Sequence, residues 1–195
     1  MSPRLLRFLT HPQVRVDPAT PVPQWDLSDV GRARAAALAG SPFLAATTSI
    51  WSSTEVKALR TAELIAGGIP HLVREDLGEN DRSATGFVPP EEFEALADAF
   101  FAHPDESVRG WANAADEQRR IVAAVDAVLT DERSGDGDIV VVAHGGVGTL
   151  LLCHLLGRPI TRELDQPGQG HYFTVDRDTR AVQHGWHPLE ELSAE

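Results

Sequence analysis

The sequence predicts a three-layer α/β/α domain with a mostly parallel central sheet and an antiparallel strand pair near the C-terminus. Three observations carry that expectation. Short apolar runs alternate with helical stretches, the pattern of parallel strands joined by crossover helices. The run Ile139-Val140-Val141-Val142-Ala143 follows the turn cluster Ser134-Gly135-Asp136-Gly137-Asp138, and reads as a strand buried on both faces. Near the end, two strand-like runs (Gly170 to Val175 and Ala181 to Trp186) flank Asp176-Arg177-Asp178-Thr179, a hairpin-like turn. At 195 residues the chain reads as one domain, 1–195, long enough for a real core.

The elements follow in order. Arg4 to Leu9 is a strand, and Pro12, Pro18, Pro21 and Pro23 make the next stretch an extended loop. A helix opens after Ser28, its N-cap, and runs to about Ala39. Thr47 to Trp51 is a second strand. Ser52 and Glu55 match a capping box at the head of a helix that reaches about Ala66 and stops at Gly67-Gly68. Ile69 to Val73 is a third strand. Residues 74–90 form a long polar loop, which in a compact domain is more often functional than idle. The amphipathic helices Glu91 to Phe101 and Ala114 to Leu129 follow, divided at His103-Pro104. After the strand at 139–143, Val147, Leu150, Leu151, Leu152, Leu155 and Leu156 mark a buried helix. The loop and helices of about 74–115 are expected to cap the site.

Apolar content of 42% and charged content of 24% are those of a globular protein. A net charge of −12 argues against nucleic acid or an anionic membrane as partner. The single cysteine, Cys153, cannot form an internal disulfide. The start shows no basic-then-apolar signal pattern, and no stretch approaches the roughly 20 apolar residues of a membrane span, so a cytoplasmic setting is expected. A homodimer fits if Phe43, Trp51 or Trp111 is exposed.

Chemistry concentrates at two histidines. His11 follows the first strand, and His144 stands between the 139–143 strand and Gly145-Gly146. Each therefore sits at the carboxyl edge of the sheet, where ligands bind in open α/β sheets, and the helix start after His144 favours an anion. The alternative for His11 is an ordinary loop histidine, and for His144 a satisfied core residue. The remaining histidines show no trusted metal-ligand spacing; neither metal nor cofactor is expected. The four tryptophans, Trp25, Trp51, Trp111 and Trp186, read as packing residues.

Four segments stand in a telling order: Phe8-Leu9-Thr10-His11, Trp25-Asp26-Leu27-Ser28-Asp29-Val30-Gly31, Ser52 to Ala62, and Val141 to Gly146. Together they resemble the histidine phosphatase superfamily, in its phosphoglycerate mutase-like branch. The first corresponds to that family's first strand and Arg-His-Gly signature, and the second is similar to its Leu-Thr-x-x-Gly helix opening. The third resembles its Ser-Ser-x-x-x-Arg-Ala-x-Gln-Thr-Ala motif, and the fourth its second-histidine motif.

The resemblance implies a phosphoglycerate mutase-like fold and a phosphohistidine mechanism. His11 would be the nucleophile, His144 a phosphate ligand helped by amides around Gly145, and Glu79, within Leu77-Gly78-Glu79, the general acid; Glu75 is the alternative acid. Departures from the pattern are specific. Thr10 stands where the signature has arginine, Pro12 where it has glycine, Lys57 at the second pocket arginine, and Asp17 at a downstream asparagine. A lysine keeps the charge but loses the planar two-pronged grip on phosphate. Arg15 is a candidate replacement cation, and Thr10 offers a hydroxyl. With two arginines missing, retention of a doubly anionic intermediate is disfavoured, so hydrolysis of a small phosphorylated metabolite is expected over mutase chemistry. The competing expectation is a family member that binds a phosphorylated ligand or a protein partner without turnover. An unrelated α/β domain would not bring His11 and His144 together.

Overall fold

The computed structural model describes residues 3–194; Met1 and Ser2, part of the start read for a signal pattern, lie outside them. Six strands form one sheet: β1 (Leu5–Thr10), β2 (Thr47–Ser52), β3 (His71–Val73), β4 (Asp138–Ala143), β5 (His171–Asp176) and β6 (Val182–Pro188). Their order is β3-β2-β4-β1-β5-β6. The first four run parallel, β5 pairs antiparallel with β1, and β6 pairs antiparallel with β5. Five helices cover the sheet: α1 (Asp29–Ala36), α2 (Val56–Ala66), α3 (Pro90–Ala102), α4 (Ala114–Thr130) and α5 (Gly145–Leu155). The expected three-layer architecture is observed.

Strand alternation explains the two cores. Leu6, Phe8, Ile139, Val141 and Ala143 point to one face, beneath residues of α3, α4 and α5. Leu9, Val140 and Val142 point to the other, against Ala58, Ala62 and Ile65 of α2. β4 is buried along its whole length, as its unbroken apolar run requires.

Four local expectations are corrected. α1 ends at Ala36 rather than near Ala39. β3 begins at His71, because Ile69 closes the turn after α2 by donating to Ala66 O at 2.7 Å and Pro70 has no N–H to give a ladder. The capping box does not form. Ser52 is the last residue of β2 and its hydroxyl meets His71 Nε2 at 2.8 Å, while Glu55 takes the N-cap position of α2 without a side-chain cap bond. Phe43, Trp51 and Trp111 are 4%, 1% and 2% exposed, so they belong to the core and offer no dimer face. Among the described residues, no helix is long and apolar enough to cross a membrane.

The start of α1 fixes the loop that follows His11. Ser28 caps the helix by accepting from Gly31 N at 3.1 Å, and its own N–H donates to Gln13 O at 2.9 Å. Gly31 lies so close that a Cβ would stand 2.1 Å from Gln13 O, a backbone atom that cannot swing away. Gly31→Ala is expected to cost about 1–3 kcal/mol through overpacking, lowering Tm by roughly 3–10 °C. Thermal unfolding followed by circular dichroism checks this; an unchanged Tm would contradict it.

Candidate active site

The register Thr10↔Ala143 aligns the carboxyl ends of β1 and β4, and His11 N continues the ladder to Ala143 O at 3.2 Å. The two histidines consequently lie side by side, ring centroids 5.3 Å apart at 63°. His11 Nδ1 is 2.9 Å from Pro12 O. A carbonyl only accepts, so Nδ1 carries the proton and Nε2 keeps its lone pair. His144 is fully buried at the N-cap of α5. Its Nε2 lies 2.8 Å from Ser53 Oγ and 3.4 Å from Glu55 Oε1, and its Nδ1 has no partner among the described residues.

Two carboxylates reach the same edge. Glu79 lays its oxygens on the α5 start, accepting from Gly146 N at 3.2 Å and Val147 N at 3.1 Å. Those are the amides the sequence reading left open for phosphate, and the protein's own anion holds them. Glu55 accepts from Lys57 Nζ and from Glu79 N, the latter at 2.8 Å. Lys57, 2% exposed, also donates to Val22 O at 3.0 Å. The cation expected to meet phosphate is thus already matched by a carboxylate, which the capping-box reading of Glu55 concealed.

The other expected residues are distributed as follows. Thr10 is buried; its hydroxyl lies 2.6 Å from Gln166 Oε1 and accepts from His171 N at 3.0 Å. It therefore acts behind the site, holding Gln166. Gly145 faces Gln166 too: a Cβ there would meet Gln166 Nε2 at 2.3 Å. Arg15 is exposed, and among the described residues only its backbone is tied, donating to Asp26 O at 2.9 Å; it does not line the cavity described below. Asp17 turns away to accept from Thr20 Oγ1 at 2.7 Å. Glu75 is exposed and borders a separate open depression with Arg74 and Asp76.

A cavity of about 380 Å³ opens beside the histidines. His11, Lys57, Glu79, Gly145 and Gly146 line it, as does Gln166. Its outer wall comes from the 74–115 region: Asn80, Arg82, Phe93, Phe100, Phe101 and Trp111. Trp25 adds to this wall and packs against Phe87 with centroids 5.8 Å apart. Trp25 and Trp111 are therefore lining residues as well as packing ones. Sequence reasoning missed Glu55, Asn80, Arg82 and Gln166, and only Asn80 and Arg82 carried a cue, by lying next to Glu79 in the loop.

The match to known proteins agrees with this geometry. The family described as the histidine phosphatase superfamily (branch 1) matches residues 17–178, most of the chain. The chain belongs to the histidine phosphatase superfamily. The matched stretch begins at Asp17 and leaves out His11 with its neighbours Thr10 and Pro12. The native structure of mycobacterial glucosyl-3-phosphoglycerate phosphatase is 22% identical with a TM-score of 0.76, covering 95% of this chain and 99% of that one. The same protein's complex with inorganic phosphate is 21% identical with a TM-score of 0.76, covering 96% and 99%. YhfR of Bacillus stearothermophilus is 22% identical with a TM-score of 0.73, covering 93% and 94%. At these identities the likeness is one of fold. None of the curated proteins compared with the chain matches it.

Burial sets the electrostatics of this histidine phosphatase site. His11 is pushed down to about 4, first by burial and then by the Lys57 charge, with Arg82 acting in the same direction. His144 is held well below its ordinary value, again chiefly by burial, against the opposing pull of Glu55. Burial works against ionisation of Glu55, yet its carboxyl is lowered to about 2 by His144, Lys57 and the Glu79 amide. At neutral pH, where His144 is uncharged, Lys57 is the effective partner. Above pH 6.5 His11 is neutral in both folded and unfolded chains. Between 6.5 and 4 the unfolded chain binds a proton that the folded one refuses, so acidification costs stability, by about 3 kcal/mol for a shift of this size. Glu55 adds a loss in the same direction between 4.5 and about 2. His11→Gln is expected to flatten the slope of urea-unfolding free energy between pH 6.5 and 4. An unchanged slope would show that His11 does not supply it.

Proposed function

We propose that the chain hydrolyses a small phosphorylated metabolite through a phosphohistidine on His11. The observation that carries this reading is His11 itself: neutral at pH 7, its Nδ1 proton committed to Pro12 O, its Nε2 without a protein partner among the described residues, beside His144 on the cavity. In the first step the Nε2 lone pair forms a bond to phosphorus while the ester P–O bond breaks, and Glu79, once protonated and released from the α5 amides, delivers a proton to the leaving oxygen. In the second, water attacks phosphorus and gives a proton to the Glu79 carboxylate, while the P–N bond breaks and its electrons return to Nε2. His144 and Lys57 steady the phosphoryl oxygens, with Gly145 allowing Gln166 to stand beside them. Thr10 contributes indirectly through Gln166, and Arg15 has no part. The scheme calls on no cofactor or metal. Residues 74–115 act as the cap, and their aromatic lining receives the leaving group.

The family membership supports the reaction class, and a phosphate complex known for a protein of the same fold supports the kind of ligand. The test is turnover of an aryl phosphate and a panel of phosphometabolites, including glucosyl-3-phosphoglycerate. The parent is expected to turn over at least one, and His11→Ala to lose the activity by about 10⁴-fold or more, as loss of a nucleophile commonly does. Activity retained in His11→Ala would overturn the phosphohistidine.

One observation favours the alternative, a family member that binds without turnover: Glu55 occupies Lys57 and stands beside His144. Glu55→Gln removes a negative charge from the phosphate's surroundings and is expected to tighten inhibition by inorganic phosphate on the order of tenfold. If the parent neither turns over nor is phosphorylated while Glu55→Gln does both, the carboxylate is a plug and the alternative holds for the natural chain.

A further inference from the structure

Loss of the signature arginine leaves the site short of one guanidinium, and the question is whether any other cation in the molecule takes up its task. The cations around the cavity differ in one respect. Lys57 is answered by Glu55. Arg162 is answered by Glu94, by Asp98 at 2.5 Å and by Asp165 at 3.7 Å. Arg82 has no carboxylate partner and no side-chain hydrogen bond among the described residues. Its guanidinium is instead steadied over the Phe93 ring, Cζ 5.0 Å from the centroid, an arrangement that holds a cation without consuming its charge or its donors. It lines the cavity that holds His11 and Lys57, and also the neighbouring one behind Glu79, so it stands at the junction of the two. Its charge is felt at both histidines.

A second observation comes from the same loop. Asn80, 7% exposed, presents an Nδ2 with no hydrogen-bond partner, although the residue lines both cavities. A buried amide donor left unpaired is costly, and an acceptor arriving in the cavity would return that cost. Here an unanswered donor and an unanswered cation lie two residues apart.

From this we propose that the phosphate grip absent at Thr10 is supplied by the loop after Glu79: Arg82 donates its guanidinium to two phosphoryl oxygens, and Asn80 Nδ2 donates to a third. The inference rests on the hydrolase reading for its kinetic consequence, but not for phosphate binding. It makes Arg82 a catalytic residue contributed by the cap rather than by the strand that carries the nucleophile. Cation and nucleophile are therefore brought together by tertiary packing instead of by adjacency in sequence.

The experiment pairs kinetics on an aryl phosphate with binding of inorganic phosphate by calorimetry, on the full chain and its Arg82→Ala, Arg82→Lys and Asn80→Ala variants. Arg82→Ala is expected to weaken phosphate binding at least tenfold and lower kcat/KM about 100-fold, the usual scale for one preorganised donor. Arg82→Lys should recover part of the loss, and added guanidinium chloride should restore activity to Arg82→Ala but not to His11→Ala. Asn80→Ala should cost about tenfold in binding. Because Arg82 is half-buried on a loop, its alanine variant should unfold at the parent's Tm, which separates the effect from misfolding. Turnover that depends on His11 but not on Arg82 overturns this inference and leaves the hydrolase reading intact. Arg82-dependent phosphate binding without any turnover does the reverse. Absence of phosphate binding by the parent overturns the inference outright.

Discussion

Parallel pairing of β1 with β4 brings two histidines from opposite ends of the chain to one edge of the sheet, and every feature of the site hangs on it. The register Thr10↔Ala143 sets the depth at which each ring emerges, and the extra bond from His11 N to Ala143 O carries the ladder one residue past the strand. Both strands are buried on both faces, so a slip by one residue would exchange the two cores. The relative position of the histidines is thereby protected by the same packing that holds the domain together. Little of it depends on the histidines themselves.

A second constraint is charge. The chain is acidic, and its candidate site matches its buried fixed charges internally. Glu79 sits on the α5 amides and Glu55 on Lys57, so neither a bare helix terminus nor a bare buried ammonium faces solvent. Such matched groups avoid the large desolvation cost of an isolated buried charge. Of the cations lining the cavity, the one left without a carboxylate among the described residues, Arg82, is placed on an aromatic ring in a loop, where solvent reaches it.

The fold was legible because its signals are local: an unbroken apolar run for β4, a serine cap for α1, a left-handed glycine after α2. That the two histidines would meet was also legible, since strand ends in a parallel sheet share an edge. What escaped was side-chain direction. Ser52 and Glu55 have capping-box spacing, but β2 runs through Ser52 and the Glu55 carboxylate finds a stronger partner in Lys57. Arg15 is near His11 in sequence, yet the loop carries it to the surface while Arg82 arrives from a distant segment. Phe43, Trp51 and Trp111 show the same limit: large apolar side chains say little about which surface they cover.

Thr10 has a consequence for how the chain can change. Its hydroxyl sits between Gln166 and the backbone of His171, in a place with almost no exposed surface. An arginine at this position would have to displace Gln166 and unpair the start of β5. Thr10 is therefore held by its neighbours, and a larger side chain could enter only together with changes at Gln166 and the segment that carries it.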